Sequence, residues 1–184
     1  MMVLGSKSVQ RLLAYYFTNP GAHHYLRELA GLLGVDPANL LRELRRLERE
    51  GLFISERNGR ERYFRLNRHH ALYPELRGIV FKTVGVPARL RSVLAKVKGV
   101  KEAYLYGSFA RNRADAASDI DLLIVGNPQP EELEPPIRRL EKQFRREVNY
   151  TLLSPEEFKS RRARHDAFLE DVWRHKKITL VSSP

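Results

Sequence analysis

The sequence predicts an α/β protein of the α+β kind in two parts: a helix-turn-helix closed by a β-hairpin, then a mixed sheet flanked by helices. Three observations carry that prediction. Residues 7–50 show three stretches of helical periodicity separated by turn residues. Asn58-Gly59 lies between two apolar runs, as a tight hairpin requires. Residues 100–181 alternate strand-like and helix-like stretches.

In chain order, Val9, Leu12, Leu13, Tyr16 and Phe17 fall at helical spacing over Lys7 to Phe17, and Asn19-Pro20-Gly21 stops the pattern. Leu26, Leu29, Ala30 and Leu33 make a second, shorter helix ending at Gly34. Asp36 caps a third, with Pro37 at its first position and Glu50-Gly51 closing it. On that helix Leu40, Leu41, Leu44 and Leu47 form one stripe, and Arg42, Arg45, Arg46 and Arg49 fall opposite, with Asn39 at the edge. An arginine-rich face is also what a solvated helix shows. The following hairpin is expected to set Ile54 against Tyr63 and Phe53 against Phe64, with Arg57, Arg60 and Arg62 at its tip.

Beyond Asn67 an apolar helical pattern through Leu76, Ile79, Val80, Phe81 and Val84 ends at Gly85 and Pro87 and reads as a connecting helix. The expected domains are therefore residues 1–68, a connecting helix over 69–88, and a second domain over 89–184. In the second domain, Arg89 to Lys98 is amphipathic and a strand leads from Val100 into Gly107. Glu131 to Arg146 is helical, with a restart expected at Pro135-Pro136. Val148 to Leu153 is a strand, Ser154 caps a helix through Phe158, Phe168 to Trp173 is a further helix, and Ile178 to Val181 a last strand. The basic run Arg161, Arg162, Arg164 reads most simply as a solvated face, with contact to substrate or DNA phosphates as the alternative.

The net charge of +11 favours a polyanionic partner, nucleic acid first. No cysteine is present, which excludes disulfides, thiolate metal sites and thiol nucleophiles. No run approaches the ~20 apolar residues of a membrane span, and the first ten residues lack a signal-peptide core, so a cytoplasmic protein without membrane partners is expected. The paired histidines His23-His24 and His69-His70 lack helical ligand spacing.

The chemistry concentrates between Tyr104 and Gly126. Gly107 lets the strand Tyr104-Leu105-Tyr106 turn sharply, and Ser108 opens a helix whose first amides are free for phosphate. Asp119 and Asp121, two apart in the apolar run through Val125, point to one face of a strand and can share a divalent cation. Separately, a Gly-Ser turn is usually ordinary and a D-x-D can be a polar strand edge. Together, Tyr106, Gly107, Ser108, Ser118, Asp119, Ile120, Asp121 and Leu122 resemble the motif of the minimal nucleotidyltransferases in the DNA polymerase beta superfamily.

That resemblance implies Mg²⁺ (or Mn²⁺) held by Asp119 and Asp121, and an NTP, ATP first, held by Gly107, Ser108, Ser118, Arg111 and Arg113. It also implies a third carboxylate on the next core strand, where this chain has Asn149. An amide carries no charge and takes no proton near pH 7. Three outcomes stay open: Glu147 serves instead, metal alone activates the acceptor, or the domain binds nucleotide without reacting. The glycine common after Ala-Arg in the motif is Asn112 here.

Residues 5–67 resemble the winged helix-turn-helix repressors of bacteria and archaea. The resemblance implies a third helix in the major groove of double-stranded DNA, with Asn39, Arg42 and Arg46 as base or phosphate contacts and Arg45 and Arg49 on the same face. Arg57, Arg60 and Arg62 would meet the backbone or minor groove, and a homodimer on paired half-sites is expected. The whole chain is similar to prokaryotic fusions of such a domain with a minimal nucleotidyltransferase, described as transcriptional regulators. Minimal nucleotidyltransferases are often paired with a separate toxin-like protein partner. The resulting expectation is a DNA-binding regulator with a Mg-nucleotide-binding head. The alternative is an active nucleotidyltransferase acting on a protein, RNA or small-molecule hydroxyl.

Overall fold

The computed structural model describes residues 5–111, 113–114 and 118–182. The chain divides into two compact units, Met1–Val86 and Pro87–Pro184.

In the first unit, α1 (Lys7–Thr18) starts where the Ser6 hydroxyl accepts the Val9 amide at 3.3 Å. A short strand β1 (His24–Tyr25) leads directly into α2 (Leu26–Leu33), which ends on left-handed Gly34. The Asp36 carboxylate then accepts the Asn39 amide at 2.8 Å and starts α3 (Pro37–Arg49) with proline in its first turn. The hairpin β2 (Phe53–Asn58) and β3 (Glu61–Leu66) follows, and α4 (Tyr73–Thr83) closes the unit.

The three strands form one antiparallel sheet in the order β1-β3-β2. Leu12, Tyr16, Leu29, Leu40, Leu44, Phe53 and Phe64 are fully buried in a common core, which also takes in Val80 of α4. Tyr16 stacks edge-on to Phe53 at 5.0 Å, and its hydroxyl donates to the Phe64 carbonyl at 2.8 Å. The core thereby satisfies the phenol of its most deeply buried tyrosine. Burial pushes that phenol's pKa well above its ordinary value, with the neighbouring Tyr15 and Glu28 adding to the shift.

The hairpin register differs from the expected one by two residues. Ile54 pairs with Arg65 and Phe53 with Leu66, whereas Ser55 faces Phe64 and Glu56 faces Tyr63. The loop is Gly59-Arg60, with left-handed Gly59 as its first residue, instead of Asn58-Gly59. A shift of two keeps every side chain on its face, so the apolar pattern is the same in both registers and could not choose between them.

In the second unit, α5 (Val86–Leu94) begins at the division, with Pro87 initiating this helix rather than ending the one before. Strand β4 (Val100–Tyr106) turns through a short helix α6 (Gly107–Ala110), and β5 (Ile120–Gly126) pairs back antiparallel to β4. Helix α7 (Pro130–Phe144) crosses to β6 (Val148–Leu153), parallel to β5. Helices α8 (Pro155–Ala163) and α9 (Ala167–Arg174) precede β7 (Ile178–Val181), antiparallel to β4. The sheet order is β6-β5-β4-β7.

Along β5 the residues alternate: Ile120, Leu122 and Ile124 are fully buried on one face, while Asp121, Leu123 and Val125 point to the other. On that second face Leu123 and Val125 pack with Leu153 and Leu169, bordered by Tyr104, Tyr106, Phe158, Phe168 and Trp173. Hydrophobic packing thus holds one end of the face and leaves the end bearing Asp121 open to polar groups. Pro135 and Pro136 do not restart α7, which runs unbroken. Leu133, Ile137, Leu140 and Phe144 bury at helical spacing through the pair, which outweighs two missing amides. The helix also stops two residues before the expected Arg146, at left-handed Arg145. Among the described residues no helix is long and apolar enough to cross a membrane.

Candidate functional site

Gly107 leaves β4 with φ of +68°, a conformation that costs a residue with a Cβ roughly 1 kcal/mol or more. A Cβ at this position would overlap the Asp121 carboxylate and come within 3.0 Å of its Cγ. The turn and the carboxylate therefore fit together only because residue 107 is glycine. The register explains the closeness, since Tyr106 pairs directly with Asp121 across the antiparallel β4 and β5.

Asp119 is exposed at the mouth of β5, and Asp121 is half-buried two residues in, on the same side. Asn149 pairs with Asp121 in the parallel β5–β6 register, and its side-chain amide donates to Asp119 Oδ2 at 3.2 Å. Three adjacent strands thus bring Gly107, the two aspartates and Asn149 into one cluster. Burial raises the Asp121 carboxyl above its ordinary pKa, the Asp119 charge adds to the rise, and the Arg111 guanidinium opposes it. The Tyr106 phenol is raised by burial and then by the Asp121 charge, against a hydrogen bond with Thr151. Tyr106 is thus a wall of the site, its ring packed edge-on to Phe168 at 5.7 Å.

Ser108 is half-buried at the start of α6, and its carbonyl accepts the Arg113 amide at 2.9 Å. Arg111 and Arg113 are exposed beside this turn. Ser118 is half-buried just before Asp119. Asn112 lies outside the described residues. Glu147 is exposed, and its backbone carbonyl accepts the Ile120 amide at 2.9 Å.

The donor set suits a divalent cation of the magnesium kind. Mutual repulsion of two carboxylates on one strand face is what a cation relieves, and Mg²⁺ is commonly held by one or two carboxylates with substrate phosphates completing its shell. Among the described residues no group of three or more His, Asp or Glu side chains forms a self-sufficient metal cage. The residues fit a metal shared with a phosphate ligand better than one held by protein alone.

In the first unit, Arg42, Arg45 and Arg49 are exposed on one side of α3, away from buried Leu40, Leu44 and Leu47. Arg42 donates to the Asn39 side chain, so these two form one polar pair. Arg46 is engaged by Glu43 at 3.1 Å and Glu50 at 2.9 Å. Arg57 and Arg60 are exposed on the hairpin. Arg62 departs from the expected tip position: it reaches back to Glu48 at 2.8 Å and to the Ser55 hydroxyl at 2.7 Å, and lies 5.6 Å from the Phe64 ring. That network was invisible in the sequence because it joins residues 14 positions apart through the hairpin.

Arg146 also went unrecognised as a site residue: its helical register placed it on a basic helix, whereas it is buried. No signal of local periodicity could have found it, since it follows the left-handed break at Arg145.

No curated protein matches the chain. A solved structure from Sulfolobus solfataricus that carries the name nucleotidyltransferase is similar at 21% identity, over 50% of this chain and 73% of that one, with a TM-score of 0.28. The profile of the nucleotidyltransferase domain family matches residues 88–181, a span containing the turn at Gly107, both aspartates and Asn149. By that match the chain belongs to the nucleotidyltransferase domain family.

Proposed function

We propose that this chain is a DNA-binding transcriptional regulator whose nucleotidyltransferase domain binds a magnesium nucleoside triphosphate and passes its nucleotidyl group to a hydroxyl, with release of pyrophosphate, slowly or not at all. One observation carries the reading: beside Asp121, in the register position of the missing carboxylate, stands Asn149, and its amide is already committed to Asp119 at 3.2 Å. An amide in that role donates a hydrogen bond and cannot accept the proton of an attacking hydroxyl. Asp119 and Asp121 hold Mg²⁺ or Mn²⁺, Gly107 and Ser108 bring backbone amides to the phosphates, Arg111 and Arg113 steady their charge, and Ser118 borders the site. Such an ion would supply positive charge to offset that of the phosphates. ATP is the first candidate nucleotide.

The DNA half of the proposal rests on the exposed arginines Arg42, Arg45 and Arg49 of α3, together with Arg57 and Arg60 of the hairpin. Three helices followed by a hairpin are the order of a winged helix-turn-helix, whose third helix reads the major groove. Asn39 and Arg46 flank that face through side-chain pairs that are exposed or only partly buried, which are weak enough to exchange for phosphate or base contacts. A homodimer on paired half-sites suits this arrangement. A gel shift tests it: sequence-preferring, salt-sensitive binding that Arg45→Ala weakens is expected, and equal affinity for random duplexes contradicts it.

A second reading, active transfer to a hydroxyl acceptor, is favoured by the close fit of Gly107 around Asp121, which leaves room for that carboxylate beside the turn. Incubation with α-labelled ATP, Mg²⁺ and candidate acceptors separates the two. Label transfer above an Asp121→Ala control establishes the enzyme; none above it leaves the nucleotide-binding regulator.

A further inference from the structure

We infer that Arg146 is a positioning residue for Asp119, holding the segment that carries this carboxylate in its metal-binding place. The inference rests on the reading that Asp119 and Asp121 bind a divalent cation. After α7, left-handed Arg145 (φ 53°) breaks the helix and turns the next side chain inward. Arg146 is 7% exposed, while Arg145 and Glu147 on either side of it are exposed. Its guanidinium donates to the Ser118 carbonyl at 3.0 Å and lies 6.0 Å from the centroid of the Phe109 ring. Phe109 belongs to α6, which begins at Gly107. One side chain therefore spans both pieces of the site, the turn at Gly107 and the lead into β5.

The neighbours of Arg146 extend the contact residue by residue. Arg146 holds Ser118, the Asn149 amide holds Asp119, and the Glu147 carbonyl accepts the Ile120 amide. Three consecutive residues, with Asp119 at their centre, are thus fixed by one short segment. That segment is itself anchored, since Glu141 Oε1 of α7 accepts the Val148 amide at 2.9 Å. A buried guanidinium carries a large desolvation cost, which a cheaper apolar residue would avoid. What arginine adds is a planar fork of donors able to hold a carbonyl while lying against an aromatic ring. Lysine keeps the charge but offers one ammonium in place of the fork, and methionine fills the volume with no donor.

Mn²⁺ alone, titrated against the full chain and followed by the electron paramagnetic resonance of free ion, tests the inference. Wild type is expected to bind most tightly, Arg146→Lys more weakly, and Arg146→Met weakest by roughly tenfold, the size typical of residues that orient metal ligands. Combining Arg146→Met or Arg146→Lys with Asp119→Asn separates positioning from general loosening. If Arg146 acts through Asp119, its replacement adds no further loss once Asp119 is gone. Wild-type affinity in either folded variant, or a full additive loss in the double variant, overturns the inference while the metal site stands. Wild type binding Mn²⁺ no better than Asp119→Asn overturns the metal reading, and the inference with it.

Discussion

Gly107 and Asp121 show how a single hydrogen can decide a site. A Cβ at residue 107 would overlap the Asp121 carboxylate and sit in a left-handed backbone, so Gly107→Ala must both strain the turn and displace the ligand. Mn²⁺ affinity measured by the same titration should fall by at least tenfold in that variant while the circular dichroism of the folded chain persists. Asp121 itself costs stability. Burial and the Asp119 charge raise its pKa, so ionising this carboxyl costs the folded chain more than the unfolded one, a cost that enters as pH rises above the ordinary carboxyl value. Asp121→Asn should therefore raise the metal-free melting temperature by a few degrees and abolish the further rise expected when Mn²⁺ is added to wild type.

Tyr104 offers a pH test at the same scale. Burial, then the hydrogen bond from its hydroxyl to Glu102 at 2.5 Å, push its phenol up to about 12. The neutral phenol is the form favoured by folding. Its contribution is fully present below the unfolded value of about 10 and is lost as pH rises from there toward the folded value. Urea midpoints at pH 9 and pH 11 should converge between wild type and Tyr104→Phe at the higher pH. A constant gap would contradict the assignment.

At the scale of elements, periodicity and caps located most of the helices and strands. Asp36 and Ser154 each accept an amide three residues on, as their side chains and positions implied, and Ser6 does the same at the start of α1. The misreadings share a physical origin: local pattern was silent where tertiary contacts chose. The hairpin slipped by two residues because both registers bury the same face. The two-residue strand β1 was too short to leave a period, and exists because β3 supplies its partners at Phe64 and Tyr63. The proline pair of α7 looked like a break until four apolar residues proved to be buried along one side.

Of the candidate site, the two aspartates and the glycine turn were legible as a motif, and Asn149 followed from the resemblance, which implies a third carboxylate on the next core strand. Arg146, Tyr106 as a neighbour of Asp121, and the tie between Arg62 and Glu48 needed the sheet and the hairpin to be built first. Elements also set stability. Phe53, fully buried and edge-on to Tyr16, should cost about 3–5 kcal/mol when replaced by alanine, read from urea denaturation of the full chain. Exposed Arg49 on α3 should cost folding almost nothing, and Arg49→Ala should lower the salt dependence of DNA binding by roughly one counterion.

Across the whole molecule, a net charge of +11 is distributed over two compact units, one bearing the arginine face and the other the cluster of Gly107, Asp119, Asp121 and Asn149. Coupling between them is thermodynamic: if nucleotide alters DNA affinity, DNA alters nucleotide affinity by the same factor. The claim on which everything else depends is narrower, that the Asp119–Asp121 pair binds a nucleotide through a divalent cation. Calorimetric titration of the full chain with ATP, in Mg²⁺ and in EDTA, tests it most directly. Saturable binding that requires Mg²⁺ and disappears in Asp121→Asn is the predicted result. Binding of equal strength in EDTA, or retained in Asp121→Asn, or no heat in any condition, would contradict it.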